Sequence, residues 1–131
     1  MSIVKNFNKL LIEFVDEIIL LFPKDYALKT GRLALIGIKK ANPSLLVRYW
    51  YDCIYIPYHD EIEKGNIDYF IEKDYAEDMK IFSDPGYFMK AIDKFRQPIR
   101  DMDQENKNKA LVYVQELCKM SFFYKQTKMQ R

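Results

Sequence analysis

The stretch IVKNFNKLLIEFVDEIILLF, residues 3–22, decides the fold class. Val4, Phe7, Leu11, Phe14 or Val15, Ile18 and Leu21 or Phe22 recur in it at steps of three and four, the period of one helical face. Lys5, Lys9, Glu13, Asp16 and Glu17 fall largely between them. Ser2 can cap the start through its hydroxyl. Pro23 ends the helix, because the residue before a proline is pushed out of the α region. An amphipathic helix of this kind needs apolar partners.

Working outward, every strong element reads as helical. Asp25 to Lys40 predicts a second helix, capped near Asp25 and closed by Lys39 and Lys40, whose cations suit a helix C-terminus. Leu33, Leu35, Ile36 and Ile38 around Gly31 and Gly37 also fit a strand, but length favours the helix. Asn42-Pro43 reads as a cap and first-turn proline for a third helix, Ser44 to about Tyr55, carrying Leu45, Leu46, Tyr49, Trp50 and Cys53. Pro57 is expected to break or kink that element. Short helices follow over about Tyr58–Lys64, with Gly65-Asn66 as the stop, and over Ile67–Lys73. Ser83-Asp84-Pro85 repeats the cap-and-proline signal ahead of Phe88, Ile92, Phe95 and Ile99, and Pro98 is expected to kink or end that helix. Asp103 caps a last helix in which Leu111, Val114, Leu117, Cys118 and Phe122 share a face. The expected fold is a compact all-α single domain of five to seven helices over 1–131. No significant sheet is expected, and a flexible basic tail is expected from about residue 123.

Composition agrees with a globular chain. The 131 residues are 49% hydrophobic and 31% charged, which argues against disorder. A chain of this length buries roughly 65–70% of its unfolded surface, enough for a core without a metal or disulfides. The longest apolar run, Ile18 to Phe22, is far short of the ~20 residues that span a bilayer. The first residues lack the charged and apolar regions of a signal peptide, so a soluble or at most surface-bound protein is expected, with no membrane insertion. Two cysteines cannot make a disulfide scaffold.

The net charge of +2 hides a segregation. Residues 1–58 carry eight basic and five acidic side chains, residues 59–84 three and nine, and residues 85–131 ten and five. Such asymmetry suits an acidic or basic partner, or self-complementary faces within one fold.

Catalytic chemistry finds little support. The chain has no phosphate-binding loop, nucleophile elbow or dinucleotide fingerprint, and a single histidine excludes an HExxH zinc site. His59 and Glu63 share a helix face and could hold a metal, but more ligands would be needed, and a solvated or hydrogen-bonded histidine on an acidic surface helix is the expectation. Asp74, Glu77 and Asp78 lack the pattern of a calcium loop and read as a solvated face. Cys53 and Cys118 sit on apolar faces, where cysteine packs as a small hydrophobe. No catalytic, cofactor or metal site is expected.

The aromatic residues say more. Tyr49, Trp50, Tyr51, Tyr55 and Tyr58 crowd within ten residues. Neighbours on a helix point about 100° apart, so they cannot all face one core. Either several elements pack around this helix, or Tyr49, Tyr51, Tyr55 and Tyr58 form a partner interface. Trp50 aligns with Leu46 and Cys53 on the inner face, leaving Tyr51 or Tyr55 substantially exposed. Near the end, Phe122-Phe123-Tyr124 precedes a basic stretch with Lys119, Lys125, Lys128 and Arg131. It suits stacking on single-stranded nucleic acid, a docking helix or a frayed tail.

Four strings in order resemble a known group: Phe7-Asn8-Lys9-Leu10-Leu11 with Phe14, Phe22-Pro23-Lys24-Asp25, Lys40-Ala41-Asn42-Pro43, and Asp68-Tyr69-Phe70-Ile71-Glu72-Lys73-Asp74-Tyr75. Together they resemble small helical proteins encoded by nucleocytoplasmic large DNA viruses, over roughly residues 5–75. The resemblance carries over no catalytic or ligand residues. It implies a viral context: a minor capsid or other virion-associated structural protein, located in the virion or the host cytoplasm. Its partners would be other capsid or virion proteins. The alternative is a nucleic-acid-associated protein using the basic C-terminal region.

If residues 3–22 seed the core, Phe14 and Ile18 are almost fully buried. Phe14→Ala then lowers stability by ~3–5 kcal/mol in urea unfolding, from lost transfer energy and the cavity left behind. A loss below about 1 kcal/mol would make this helix a detachable arm.

Overall fold

The first helix, α1 (Ile3–Leu21), forms as its pattern predicts. Ser2 caps it by accepting from the Lys5 N–H at 3.2 Å. At the other end Phe22 leaves the helix ahead of Pro23, its N–H donating to the Ile18 and Ile19 carbonyls. The computed structural model describes residues 2–72 and 85–129, and among these every regular element is a helix. Asp74, Glu77, Asp78, the caps at Ser83 and Asp84, and Arg131 lie outside the described residues.

α2 (Tyr26–Ala41) starts where Asp25 accepts from the Ala27 N–H, and the helical reading of its glycine-containing stretch holds. The turn that follows is built by Asn42, whose Oδ1 accepts from both the N–H and the hydroxyl of Ser44. α3 (Leu45–Trp50) then begins just past Pro43. Asn8, buried on α1, donates from Nδ2 to the Pro43 carbonyl at 2.9 Å and ties this turn to the first helix.

The expected break at Pro57 does not occur. A single turn of π-helix, Tyr51–Tyr55, connects α3 directly to α4 (Ile56–Glu63). Proline lacks an N–H and its ring crowds the carbonyl four residues back. The wider turn, closed by the Ile56 N–H on the Tyr51 carbonyl, absorbs both demands. Gly65, at φ +90°, stops α4 as predicted. Its N–H donates to the Ile62 carbonyl and that of Asn66 to the Glu61 carbonyl, which closes a Schellman motif.

α5 (Ile67–Glu72) follows, and beyond the undescribed stretch come α6 (Pro85–Asp93) and α7 (Arg96–Arg100). The helix expected to be kinked at Pro98 instead breaks earlier, at Lys94 and Phe95. Pro98 thereby enters the first turn of α7, where an N–H has no intrahelical acceptor in any case. Arg96, largely buried, donates from Nε to the Ile71 carbonyl at 2.8 Å, and Arg100 donates to the same oxygen. These two arginines fasten the end of α5.

α8 (Gln104–Met129) is 26 residues long, with Asp103 accepting from the Asn106 N–H at its start. It remains helical through the stretch expected to be a flexible tail. Tyr124 explains why: its ring is buried, and it anchors the last turns.

Buried apolar side chains from every described helix form one cluster. Phe14, at 6% exposure, Ile18, at 2%, and Trp50, at 1%, stand where the periodicity placed them. α1 packs mainly on α8, and α2 mainly on α6. The approach of α2 depends on Gly31, where a Cβ would come within 2.9 Å of the Phe95 ring and 3.2 Å of the Ala91 carbonyl oxygen.

Gly37, on the same helix, has open space around the equivalent position. Gly31→Ala is expected to destabilise by ~1–3 kcal/mol through overpacking. Gly37→Ala should stabilise by roughly 0.4–1 kcal/mol by restricting the unfolded chain. Urea midpoints of the two variants, displaced in opposite directions, check this packing.

Candidate functional site

The aromatic cluster sorts itself around the α3–π–α4 element. The π-turn widens the spiral where Tyr51 and Tyr55 lie, so side chains four residues apart come close to alignment. Tyr51 stacks on Tyr55 at 5.1 Å between centroids and 12° between planes. Tyr55 stacks in turn on His59 at 4.4 Å and 7°. From α8, Phe122 lies against Tyr55 at 5.5 Å, and the Lys125 ammonium sits 5.5 Å from the Tyr51 ring centre. Neither tyrosine is substantially exposed: both are half-buried, because each covers the other and α8 covers the pair.

The other two candidates part from this ladder. Tyr58 is a core residue, 2% exposed and edge-on to Tyr69, so it is not an interface side chain. The wider π-turn and α4 carry it round to the inside, alongside Ile62. Tyr49 is half-buried and rests against Phe88 on α6. The crowding of tyrosines is thus explained mostly by several elements packing around one helix.

The basic residues do not converge. Lys119 pairs with Glu116 at 3.4 Å, Lys125 lies over Tyr51 and Lys128 over Tyr124. At 100° per residue, Lys119 and Lys128 point to opposite sides of α8. Lys119, Lys125 and Lys128 therefore form no shared basic patch on α8, and the stacked ring faces of the ladder are already covered by one another.

His59 lies on an acidic surface helix with its side chain 31% exposed. Its Nδ1 lies 3.5 Å from an Asp60 carboxylate oxygen and 3.6 Å from one of Glu63, without the geometry of a hydrogen bond. Among the described residues these three form the one group of histidine, cysteine or carboxylate side chains close enough to hold a cation together. All three come from about one turn of helix, and Asp60 and Glu63 are 79% and 63% exposed. Such a set offers three ligands to an ion and leaves the remaining positions to water or to a partner.

The cysteines are structural. Cys118 accepts a hydrogen bond from the Trp50 indole N–H at 3.4 Å, and burial pushes its thiol up to about 12. Burial, with the Asp52 charge adding to it, pushes Cys53 up to about 11. A nucleophile needs the opposite shift.

One surface escaped the sequence reading. Between the second half of α1 and the first half of α8 lies an open cleft of about 540 Å³. Phe14, Ile18, Met102, Ala110 and Tyr113 contribute to its lining, with Phe14 stacked on Tyr113 at 4.9 Å. Leu20, Leu21 and Val112, also along the cleft, are 73%, 45% and 57% exposed. The signal was present in two apolar runs, Ile18 to Phe22 and Leu111 to Val114. Each turns too far around its helix for one face to bury. Glu17 lines the α1 side, and Glu13 stands one helical turn before it. Burial first, then the charges of these two carboxylates, raises the Tyr113 phenol above its ordinary value.

Comparison with known proteins adds no identification: no family model, curated protein or solved structure matches this chain.

The thiols supply a test. In native protein at pH 8 both cysteines should resist a thiol-specific reagent, and both should react once urea unfolds the chain. Their folded values lie above the ordinary 9.0, so the folded state holds its protons longer. Stability is therefore constant with respect to these groups below about pH 9 and falls as pH rises above it. Urea midpoints that rise between pH 8.5 and 10.5 would contradict that burial.

Proposed function

We propose that this protein is a non-enzymatic interaction module that binds other proteins through the α1–α8 cleft. The observation that carries the reading is the outward placement of Leu20, Leu21 and Val112 around an open, largely apolar depression. Apolar surface of this kind, bounded by polar side chains, marks contact sites on soluble proteins. The aromatic ladder packs on the later half of α8, away from the cleft, with its rings stacked on one another. Protein partners are favoured over nucleic acid because the lysines of α8 diverge and the ladder rings are stacked on one another. The resemblance over residues 5–75 supports a viral setting. Within that setting we propose a minor capsid or other virion-associated structural role, exercised in the virion or the host cytoplasm.

Mass spectrometry of purified virions tests this role, with the protein expected among their components. A folded Leu20→Glu, Val112→Glu double variant should be left out of particles while keeping a thermal midpoint close to wild type, since both positions are solvent-exposed. Virions lacking the wild-type protein would remove the structural role. Incorporation of the double variant at wild-type levels would remove the cleft as the contact.

A further inference from the structure

α2 is the reverse of the cleft in both shape and charge. Its charged residues are Lys29, Arg32, Lys39 and Lys40, with no carboxylate among them. Among the described residues only Arg32 of these is in a salt bridge, with Asp16 at 2.6 Å; Lys29 lies over the Tyr26 ring. Tyr26 and Leu33 project from its outer face at 79% and 69% exposure, and Ala34 and Gly37 beside them are exposed as well. The helix is thus a convex, basic ridge with two apolar knobs.

The cleft is concave, and on its α1 side Glu17 forms no salt bridge among the described residues. Glu116 stands on the α8 side, shared with Lys119 at 3.4 Å. Lys109 is the one cation in the lining, and it lies 4.0 Å from Glu105. The lengths also agree. Tyr26 and Leu33 are seven residues apart, about 10 Å along a helix, and the cleft runs beside α8 from Asn106 to Glu116, about 15 Å. Both surfaces are open to solvent at the same time, so neither covers the other within one chain.

We propose that the occupant of the cleft is α2 of a second copy of this chain. Leu33 and Tyr26 enter between α1 and α8, and the cations of α2 face Glu17 and Glu116. This rests on the interaction reading above and narrows its partner to the protein itself. The contact is head-to-tail: each copy uses its ridge in one direction and its cleft in the other, so copies add in rings or open chains rather than stopping at a symmetric pair. Part of the attraction is between exposed charges, so salt weakens it.

The experiment is light scattering after size exclusion, with sedimentation velocity over rising protein concentration. Wild type should grow beyond the monomer as concentration increases, and less so in high salt. Leu33→Glu blocks the ridge and Leu20→Glu with Val112→Glu blocks the cleft. Each variant alone should stay monomeric, with circular dichroism and thermal midpoints showing it folded. An equimolar mixture should form a one-to-one dimer and stop there, because only one intact ridge and one intact cleft remain. Wild type that stays monomeric overturns the proposal even if the virion tests succeed, which would leave the interaction reading with a different partner. Wild type that associates while the mixture stays monomeric overturns the head-to-tail geometry. If either folded variant associates as wild type does, the surface it blocks is not used.

Discussion

The fold turns on the burial of a single indole. Trp50 is 1% exposed, and a buried indole must place its N–H. It does so on the Cys118 sulfur at 3.4 Å, while Phe7 meets the ring edge-on at 5.9 Å and 71°. These three side chains come from α3, α8 and α1, so one cluster sets the mutual register of the two longest helices and the short one wedged between them. The thiol suits the role because burial keeps it neutral, a small soft acceptor where a charged one would be costly. With Phe7 fixed at this level, the next turns of α1 run along α8 in the opposite sense. Phe14 meets Tyr113 two turns further on, and the seam opens beyond it.

Proline placement shapes what hangs on that frame. Pro57 and Pro98 each threaten a helix, and each is accommodated differently. At Pro57 the chain keeps its direction by widening one turn, which preserves a continuous element from Leu45 to Glu63 and aligns Tyr51, Tyr55 and His59. At Pro98 the chain breaks before the proline, which turns Arg96 inward to the Ile71 carbonyl. The first device builds a stacked ladder and the second fastens α5. Local backbone chemistry decides both.

The amphipathic period of α1, the cap at Asp25, the stop at Gly65 and the cap at Asp103 were all legible, since each signal acts within a turn or two of the residue that carries it. Trp50, Leu46 and Cys53 were legible on an inner face for the same reason. The fate of the tyrosines was not. Whether Tyr58 turns inward depends on the π-turn preceding it, and whether Tyr55 is covered depends on Phe122, 67 residues away. Arg96 gave no local hint of burial, because its acceptor is the end of a helix 25 residues upstream. The charge of the tail misleads, because the buried ring of Tyr124 keeps α8 helical past the exposed Lys125 and Lys128.

The open cleft follows from lengths. α8 extends about 39 Å and α1 about 28 Å, whereas a chain of this size packs into a globule with a radius of gyration near ~14 Å. A helix that long crosses the whole domain and offers more apolar surface than the shorter helices can cover. α8 carries apolar residues all around its middle, Leu111 through Val114, and only Val114 among them is fully buried. α2, α3 and α4 to α7 are spent on the Trp50 side, around the indole and the ends of α5 and α6. Among the described residues no element remains to close the α1–α8 seam at Leu20 and Val112. The same allocation leaves α2 with just three buried residues, Leu28, Gly31 and Leu35, and an outer face given over to water. Unfilled apolar surface on the long helices and unspent basic surface on α2 are therefore two results of one packing arrangement, and both are available to the surface of another molecule.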